Sequence, residues 1–393
     1  MSAEVGSTPA DAEWRRRVSR AIGALGCEAV IATSFGSFRY LSGYWARSAR
    51  MNPTRPGIVV WPVRGEPVIL VGADQVQAPR RDSWIEDVRG YAEREHRPPR
   101  EIVRALVETL GRLSLTSARI GVELEAMPVA FYEELWRGLP AAQLVACDRT
   151  LEGLRVAPGP DGLAAICAGT LAAEQGVARA FELARPGCSE KELADSIGVE
   201  IRRAGASDVP YVLLGAGEGT RGFMPPTDRV IADGDLVRVD LLAVKDGYFV
   251  DIGRMAVAGR PSPAQEQLYR LQLDLNREVL DSIRPGVTGA VVFERCRSVA
   301  ERLGADLLDQ PLIGIGHAIG VNPKDFPMLK AGEDTVLEEG MVLNIEPDTL
   351  GPEGEIVHVE EMILVGADGA EVLSAGHDWS ALPRICGHGG ESR

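Results

Sequence analysis

Several things are scarce in this sequence, and each shortage narrows the reading. Six cysteines (Cys27, Cys147, Cys167, Cys188, Cys296, Cys386) lie scattered with no C-x-x-C pair. That spacing argues against a disulfide framework or a thiolate metal site and suits reduced thiols in a cytoplasm. No apolar run reaches the roughly 18 residues a membrane-spanning helix needs. The opening MSAEVGSTPADAEWRRR lacks an apolar h-region, so no secretory signal is expected there. Basic residues are in deficit, 42 against 57 acidic, for a net charge of −15. Such an excess repels phosphate, which excludes nucleic acid and anionic membranes as expected partners. Lysine is rarer still: the chain has only Lys191, Lys245, Lys324 and Lys330, and arginine is its default cation.

What is present is ordinary globular composition, 45% hydrophobic and 25% charged over 393 residues. That length exceeds what one core usually serves, so two domains are expected. Residues 1–10 and 387–393 are small and polar and are expected to fray. Over 11–150, helical spacing (Trp14, Val18, Ile22, Leu25) alternates with β-rich runs such as AVIATS, GIVVWPV and PVILVG, which reads as an α/β domain. From LRVAPGPDG onward the texture changes to that of an α+β domain over 151–386. Two helices, the second opened by the capping box Ser189-x-x-Glu192, precede strands; two more helices, from Ser262 and Thr288, precede a strand-rich end. The same order thus occurs twice, over roughly 160–257 and 263–365.

The most informative stretch is LVRVDLLAVKDGYFVDIGRMAV. Asp246-Gly247 favours a two-residue type I′ turn, pairing Lys245 with Tyr248 and Leu242 with Asp251. Asp240 and Asp251 then share a sheet face as diagonal neighbours, their Cα atoms roughly 7–8 Å apart. A one-residue change in their spacing would separate them. Solvated acids on a polar face are the plain alternative. The flanking apolar runs argue against it, because buried carboxylates need cations.

Further along, GIGHAIG sets His317 in a glycine-rich bend, MVLNIEPD places Glu346 at a strand end, and EIVHVEEMILV places Glu360 within another strand. Glu361 faces away from Glu360, and His358 shares its face. Four carboxylates and one imidazole make an oxygen-rich ligand set suited to a paired site of manganese, iron, cobalt or zinc. Two such cations can activate a water and hold both ends of a reacting group.

These residues, in this order, resemble the pita-bread metallopeptidase family, which includes aminopeptidase P, prolidase, methionine aminopeptidase and creatinase. SFGSFRYLSGYW (34–45) is similar to its creatinase-type N-terminal domain, and GDLVRVDLLAVKDGYFVDIGR, GHAIG, NIEPD and HVEEMILV are similar to its catalytic blocks. The resemblance implies a creatinase-like α/β domain followed by an α+β pita-bread domain with an internal pseudo-two-fold, commonly as a homodimer. It implies Asp240, Asp251, His317, Glu346 and Glu360 as ligands of two divalent ions, with Glu346 also taking the proton of the attacking water.

The chain departs from the family at four places. Phe223 stands where peptidases carry a histidine before the PTDR-like segment, and Lys324 stands seven residues after His317, where a second histidine is usual. His358 replaces the usual arginine, and Met255 a threonine. Loss of one histidine donor to a tetrahedral intermediate costs ~10²–10³ in rate. Lys324 and His358 are therefore candidate acid–base groups beside Glu346, and Phe223, Tyr248 and Asp325 candidate substrate contacts. Three functions follow. The first is a metal-dependent hydrolase of the Xaa-Pro aminopeptidase or prolidase type, acting on a short peptide or small amide. The second keeps the metal site for C–N cleavage or elimination on a small metabolite, as in the family's dimethylsulfoniopropionate lyase. The third is a non-catalytic scaffold.

Overall fold

The computed structural model describes residues 12–46, 55–92, 99–185 and 187–385. Cys386 and the segments expected to fray lie outside the described residues. The chain divides into two compact units at Arg155–Val156. The helix Asp148–Arg155 stays with the N-terminal unit, so the division falls there and not at 150/151. It buries Leu151 and Leu154, and its Arg155 guanidinium donates to the Ser37 hydroxyl, 3.1 Å away.

In the N-terminal unit, β1 (Ala29–Ala32), β2 (Ile58–Pro62), β3 (Val68–Gly72), β4 (Asp87–Tyr91), β5 (Arg119–Val122) and β6 (Gln143–Ala146) form one mixed sheet in the order β4-β3-β2-β1-β5-β6. The Arg64-Gly65-Glu66 link joins β2 and β3 as an antiparallel pair, while β1–β5 and β5–β6 run parallel. Ile102, Leu106 and Leu110 from helix Pro99–Arg112, with Phe131 and Leu135 from helix Val129–Gly138, share one core with Ile31, Val60 and Ile120 of the strands.

The C-terminal unit begins with helices Gly159–Leu183 and Glu190–Arg203, the second closed by the reciprocal Ser189–Glu192 capping box. They precede β7 (Asp208–Ala216), β8 (Leu236–Lys245) and β9 (Tyr248–Ala258). Helices Pro263–Leu280 and Gly289–Leu303 follow, N-capped by Ser262 and Thr288. The remaining strands are β10 (Asp306–Leu307), β11 (Gly316–Ala318), β12 (Asp325–Met328), β13 (Val342–Ile345), β14 (Thr349–Leu350), β15 (Ile356–Val357), β16 (Glu361–Val365), β17 (Ala370–Val372) and β18 (Arg384–Ile385). Two sheets carry the argument, β18-β9-β8-β7 and β12-β11-β13-β16-β17; β10, β14 and β15 form a small third one. Two helices before an antiparallel sheet thus occur twice, as the sequence suggests. Asp246 and Gly247 both take positive φ, 49° and 85°, as a type I′ turn requires.

A buried ion pair fixes β9 in place. Arg254 and Glu174 are both fully buried, with Nη2 2.7 Å from Oε1. Glu174 also accepts from Trp379 Nε1 at 2.7 Å and from the Gly376 amide. The other arm of Arg254 donates to the carbonyls of Gly253 and Glu360, tying the hairpin to the strand block that carries Glu360. Removing one partner of such a pair leaves a buried uncompensated charge. Glu174→Ala is accordingly expected to destabilise the chain by about 3–5 kcal/mol. Glu182→Ala, which breaks only the exposed pair with Arg179, is expected to cost at most about 1 kcal/mol. Urea denaturation followed by circular dichroism distinguishes the two, and equal costs would contradict this role for Arg254.

Candidate metal centre

The register of the hairpin decides which side chains meet. Lys245 pairs with Tyr248, Leu242 with Asp251, and Asp240 with Gly253. Opposed residues of an antiparallel pair share a face, so Asp240 and Asp251 do too. On the other side of β8, Leu213 pairs with Asp240 and Tyr211 with Leu242. This puts Tyr211 in the same cross-strand row as Asp251.

The second sheet supplies the remaining groups. His317 lies on β11, opposite Asn344 of β13. Glu346 follows the last residue of β13, held by a 2.9 Å bond from its amide to the Ile315 carbonyl. Glu360 lies just before β16, and its amide donates to the Gly253 carbonyl at 3.1 Å. That bond joins the β16 block to the hairpin beside Asp240. Glu361 points the other way, toward Arg254 and the Ser374 hydroxyl.

Two clusters result. His317 Nε2 lies 3.1 Å from Glu346 Oε1 and 3.8 Å from Asp251 Oδ2. Asp240, His358 and Glu360 each offer a ligand atom, all within 4.8 Å of one another. Among the described residues, Asp251 Oδ1, His317 Nε2, Glu346 Oε1, His358 Nε2 and Glu360 Oε2 are buried yet form no hydrogen bond. Native interiors rarely leave such atoms unsatisfied. Two like charges about 4 Å apart repel by about 4 kcal/mol even at an effective dielectric of about 20. Divalent cations remove both penalties, so the donor set fits divalent metal.

The electrostatics follow from this crowding. Burial pushes the Asp240 carboxyl up. Asp251 stands well above its ordinary range, through burial first and then through Glu360, Asp240 and Glu346. Burial likewise raises Glu360 to about 7, against the pull of His358. Burial also pushes Glu346 upward, but His317, Lys324 and His358 outweigh it and hold that carboxyl below its ordinary value. Burial opposes charge on His358, yet Asp348 and Glu360 overcome it and raise the imidazole well above its usual value.

The other candidates separate. Phe223 packs edge-on against His358, ring centroids 5.3 Å apart, with the Arg238 guanidinium 4.0 Å from its ring centre. Lys324 is exposed just before β12, near enough for its charge to act on Asp251 and Glu346. Asp325 is buried at the start of β12, opposite Ala318. Tyr248 is turned toward the start of helix Gly159–Leu183: its hydroxyl lies 3.5 Å from the Pro158 carbonyl, and a Cβ on Gly162 would meet its ring at 2.7 Å. As placed, it packs the hairpin turn and is not gathered with the acids. His358 is fully buried beside Asp240 and Glu360.

Four residues here escape a reading of sequence. Asp348 accepts from His358 Nδ1 at 2.6 Å. The fully buried Arg238 lies two residues before Asp240 on the same face. Burial first, and then the charges of Asp251, Asp240, Glu360 and Glu346, raise the Tyr211 phenol. Gly253 leaves the space the imidazole enters, since a Cβ there would lie 2.3 Å from His358 Nε2. Only Asp348 left a signal, as the last residue of the NIEPD block.

Comparison with known proteins agrees with this architecture. Residues 166–367 match the profile of metallopeptidase family M24, and residues 15–157 that of the creatinase/prolidase N-terminal domain. An Xaa-Pro dipeptidase of Pyrococcus horikoshii is 27% identical over 259 residues, covering 65% of this chain and 72% of the relative. An Xaa-Pro dipeptidase of Lactobacillus helveticus is 25% identical over 312 residues, 78% of this chain and 83% of the relative. Among solved structures, an Xaa-Pro dipeptidase from Bacillus anthracis superposes with a TM-score of 0.81 at 20% identity, covering 95% of this chain and 99% of its own. A dipeptidase PepE from Mycobacterium ulcerans gives 0.79 at 25% identity, covering 98% and 100%. The fold is therefore a creatinase-type N-terminal domain followed by a pita-bread domain.

Two outcomes follow from the crowding. An acid whose folded-state pKa is raised destabilises the fold as pH climbs from its ordinary value to the raised one, and a raised histidine loses its stabilising contribution in the same direction. Glu360, rising from 4.5 to about 7, and His358 both act this way. Glu346, held low, gives stability that is lost only as pH falls through its folded value. Chelator-treated protein is thus expected to melt at lower temperature as pH rises from about 5 to about 7.5. Excess cobalt is expected to cancel that trend, because cation binding displaces the protons. A melting temperature that rises with pH after chelation would contradict the assignment. Separately, Gly253→Ala is expected to displace His358 and reduce the number of cobalt ions bound, as equilibrium dialysis would show. Unchanged stoichiometry would count against the close approach.

Proposed function

The chain belongs to metallopeptidase family M24 and is a metallohydrolase, and we propose that it cleaves the amide or C–N bond of a small substrate of the Xaa-Pro dipeptide class. The observation that carries this reading is the convergence of buried, unbonded polar atoms of Asp251, His317, Glu346, His358 and Glu360. In this proposal Asp240, Asp251, His317, Glu346 and Glu360 hold two divalent cations, drawn from manganese, cobalt, iron or zinc, within the part of the chain that follows Val156. Such a pair, when bound, supplies Lewis acidity and an ionised water.

The chain's own residues do the rest. Glu346, whose carboxyl stays below its ordinary value because His317, Lys324 and His358 outweigh its burial, accepts the proton of the attacking water and returns it to the leaving nitrogen. Lys324 stands seven residues after His317, where the family resemblance places a histidine. From there it offers a flexible point charge to the oxyanion of the tetrahedral intermediate. Phe223 gives that edge of the site an apolar surface in place of a donor. The replaced histidines also favour a second reading, a small-metabolite substrate on the same metal site. Substrate reaches a homodimeric cytoplasmic enzyme in either case.

Assay of an Xaa-Pro dipeptide panel with manganese or cobalt tests this. Measurable but slow turnover is expected, lowered ~10²–10⁴-fold in Glu346→Gln, which removes the proton acceptor. Phe223→His, by restoring a donor, is expected to raise kcat at least about tenfold. Lys324→Met is expected to lower activity more than Lys330→Met. No turnover at full metal loading would shift the assignment to the small-metabolite reading.

A further inference from the structure

We propose that His358 is itself a ligand of the second cation, giving a metal centre with one imidazole at each end. The inference rests on the metal-site reading above. His358 is fully buried, and its two ring nitrogens have distinct surroundings. Nδ1 lies 2.6 Å from Asp348 Oδ1, so this nitrogen carries a proton and donates it to the carboxylate. Asp348 is oriented in turn by Gln310, whose Nε2 donates to Oδ2 at 2.8 Å. A carboxylate behind the ring is the usual support of a metal-bound histidine, fixing tautomer and direction. With Nδ1 committed to Asp348, Nε2 is the nitrogen left for a cation, whose binding would displace any proton there and expose the lone pair. That atom lies 3.3 Å from Glu360 Oε1, buried in the group it makes with Asp240 and Glu360.

A lone pair aimed at two carboxylates is repulsive unless a cation lies between them. The alternative is an imidazolium that only offsets charge, standing in for the arginine that the family resemblance places here. The surroundings favour the ligand. The fully buried guanidinium of Arg238, on the face of Asp240, already supplies a fixed positive charge beside that carboxylate. Phe223 packs edge-on against the ring and Gly253 leaves the space that Nε2 occupies, so the imidazole is held on its axis toward the acids. His317 is arranged alike, its Nδ1 3.0 Å from the Ala318 carbonyl and its Nε2 facing Glu346 and Asp251. Each cation then has one imidazole, which shifts the second position from manganese toward cobalt, zinc or iron.

Proton NMR of the full-length protein loaded with Co(II), recorded in water and in deuterium oxide, reads the number of bound imidazoles. Two exchangeable, strongly shifted N–H signals are expected, one from each Nδ1. His358→Gln is expected to remove one signal and the second cobalt, leaving the first. Asp348→Asn is expected to weaken the second cobalt by about 10–100-fold while keeping the ligand. If either variant fails to fold, the signal count in the wild-type protein still decides. Cobalt bound with a single imidazole signal would overturn the proposal and leave the metallohydrolase reading standing. No cobalt bound by the wild type would overturn both.

Discussion

Carboxylates pressed together in a protein interior repel one another and resist losing their water, and the C-terminal unit is built around four of them. Asp240 and Asp251 share one face of the β8–β9 hairpin, while Glu346 and Glu360 arrive from the second sheet with His317. The fold pays for that arrangement with rigid supports. Arg254 ties the hairpin to the Glu360 backbone and to Glu174, and the hydrogen bond from the Glu360 amide to the Gly253 carbonyl joins the strands at the point of greatest crowding. Every element of the site is consistent with cations as the missing counter-charge.

The same supports explain how the site departs from its relatives without losing its frame. Where the family resemblance places an arginine the chain carries His358, and the buried Arg238 guanidinium of β8 lies beside Asp240. Phe223 lies between His358 and Arg238, touching both. These three positions interlock, so they are better understood as one rearranged wall than as separate losses. Phe223 gives that part of the site an apolar ring face, and His358 brings a second imidazole among the acids.

Much of this was legible in sequence because it depended on local rules. The Asp246-Gly247 turn fixed the hairpin register, and the register alone put both aspartates on one face. The Ser189, Ser262 and Thr288 caps marked helix starts for the same reason. What stayed hidden depended on contacts between distant segments. Nothing near Asp348 announces its bond to His358, and Gly253 reads as an ordinary strand glycine until the imidazole is seen above it. Tyr248 was misleading in the opposite sense: an aromatic residue close to the acids in sequence is turned away by strand alternation and packs on helix Gly159–Leu183. The domain limit also lies later than the sequence suggested, because the helix Asp148–Arg155, with Leu151 and Leu154 buried, belongs to the N-terminal unit.

The central claim is that the buried acids and imidazoles hold a pair of cations. Anomalous diffraction from crystals grown with cobalt, recorded on both sides of its absorption edge, tests it most directly. The account predicts two peaks, one beside His317, Glu346 and Asp251 and one beside Asp240 and Glu360. Side chains splayed apart, with no anomalous density between them, would contradict it.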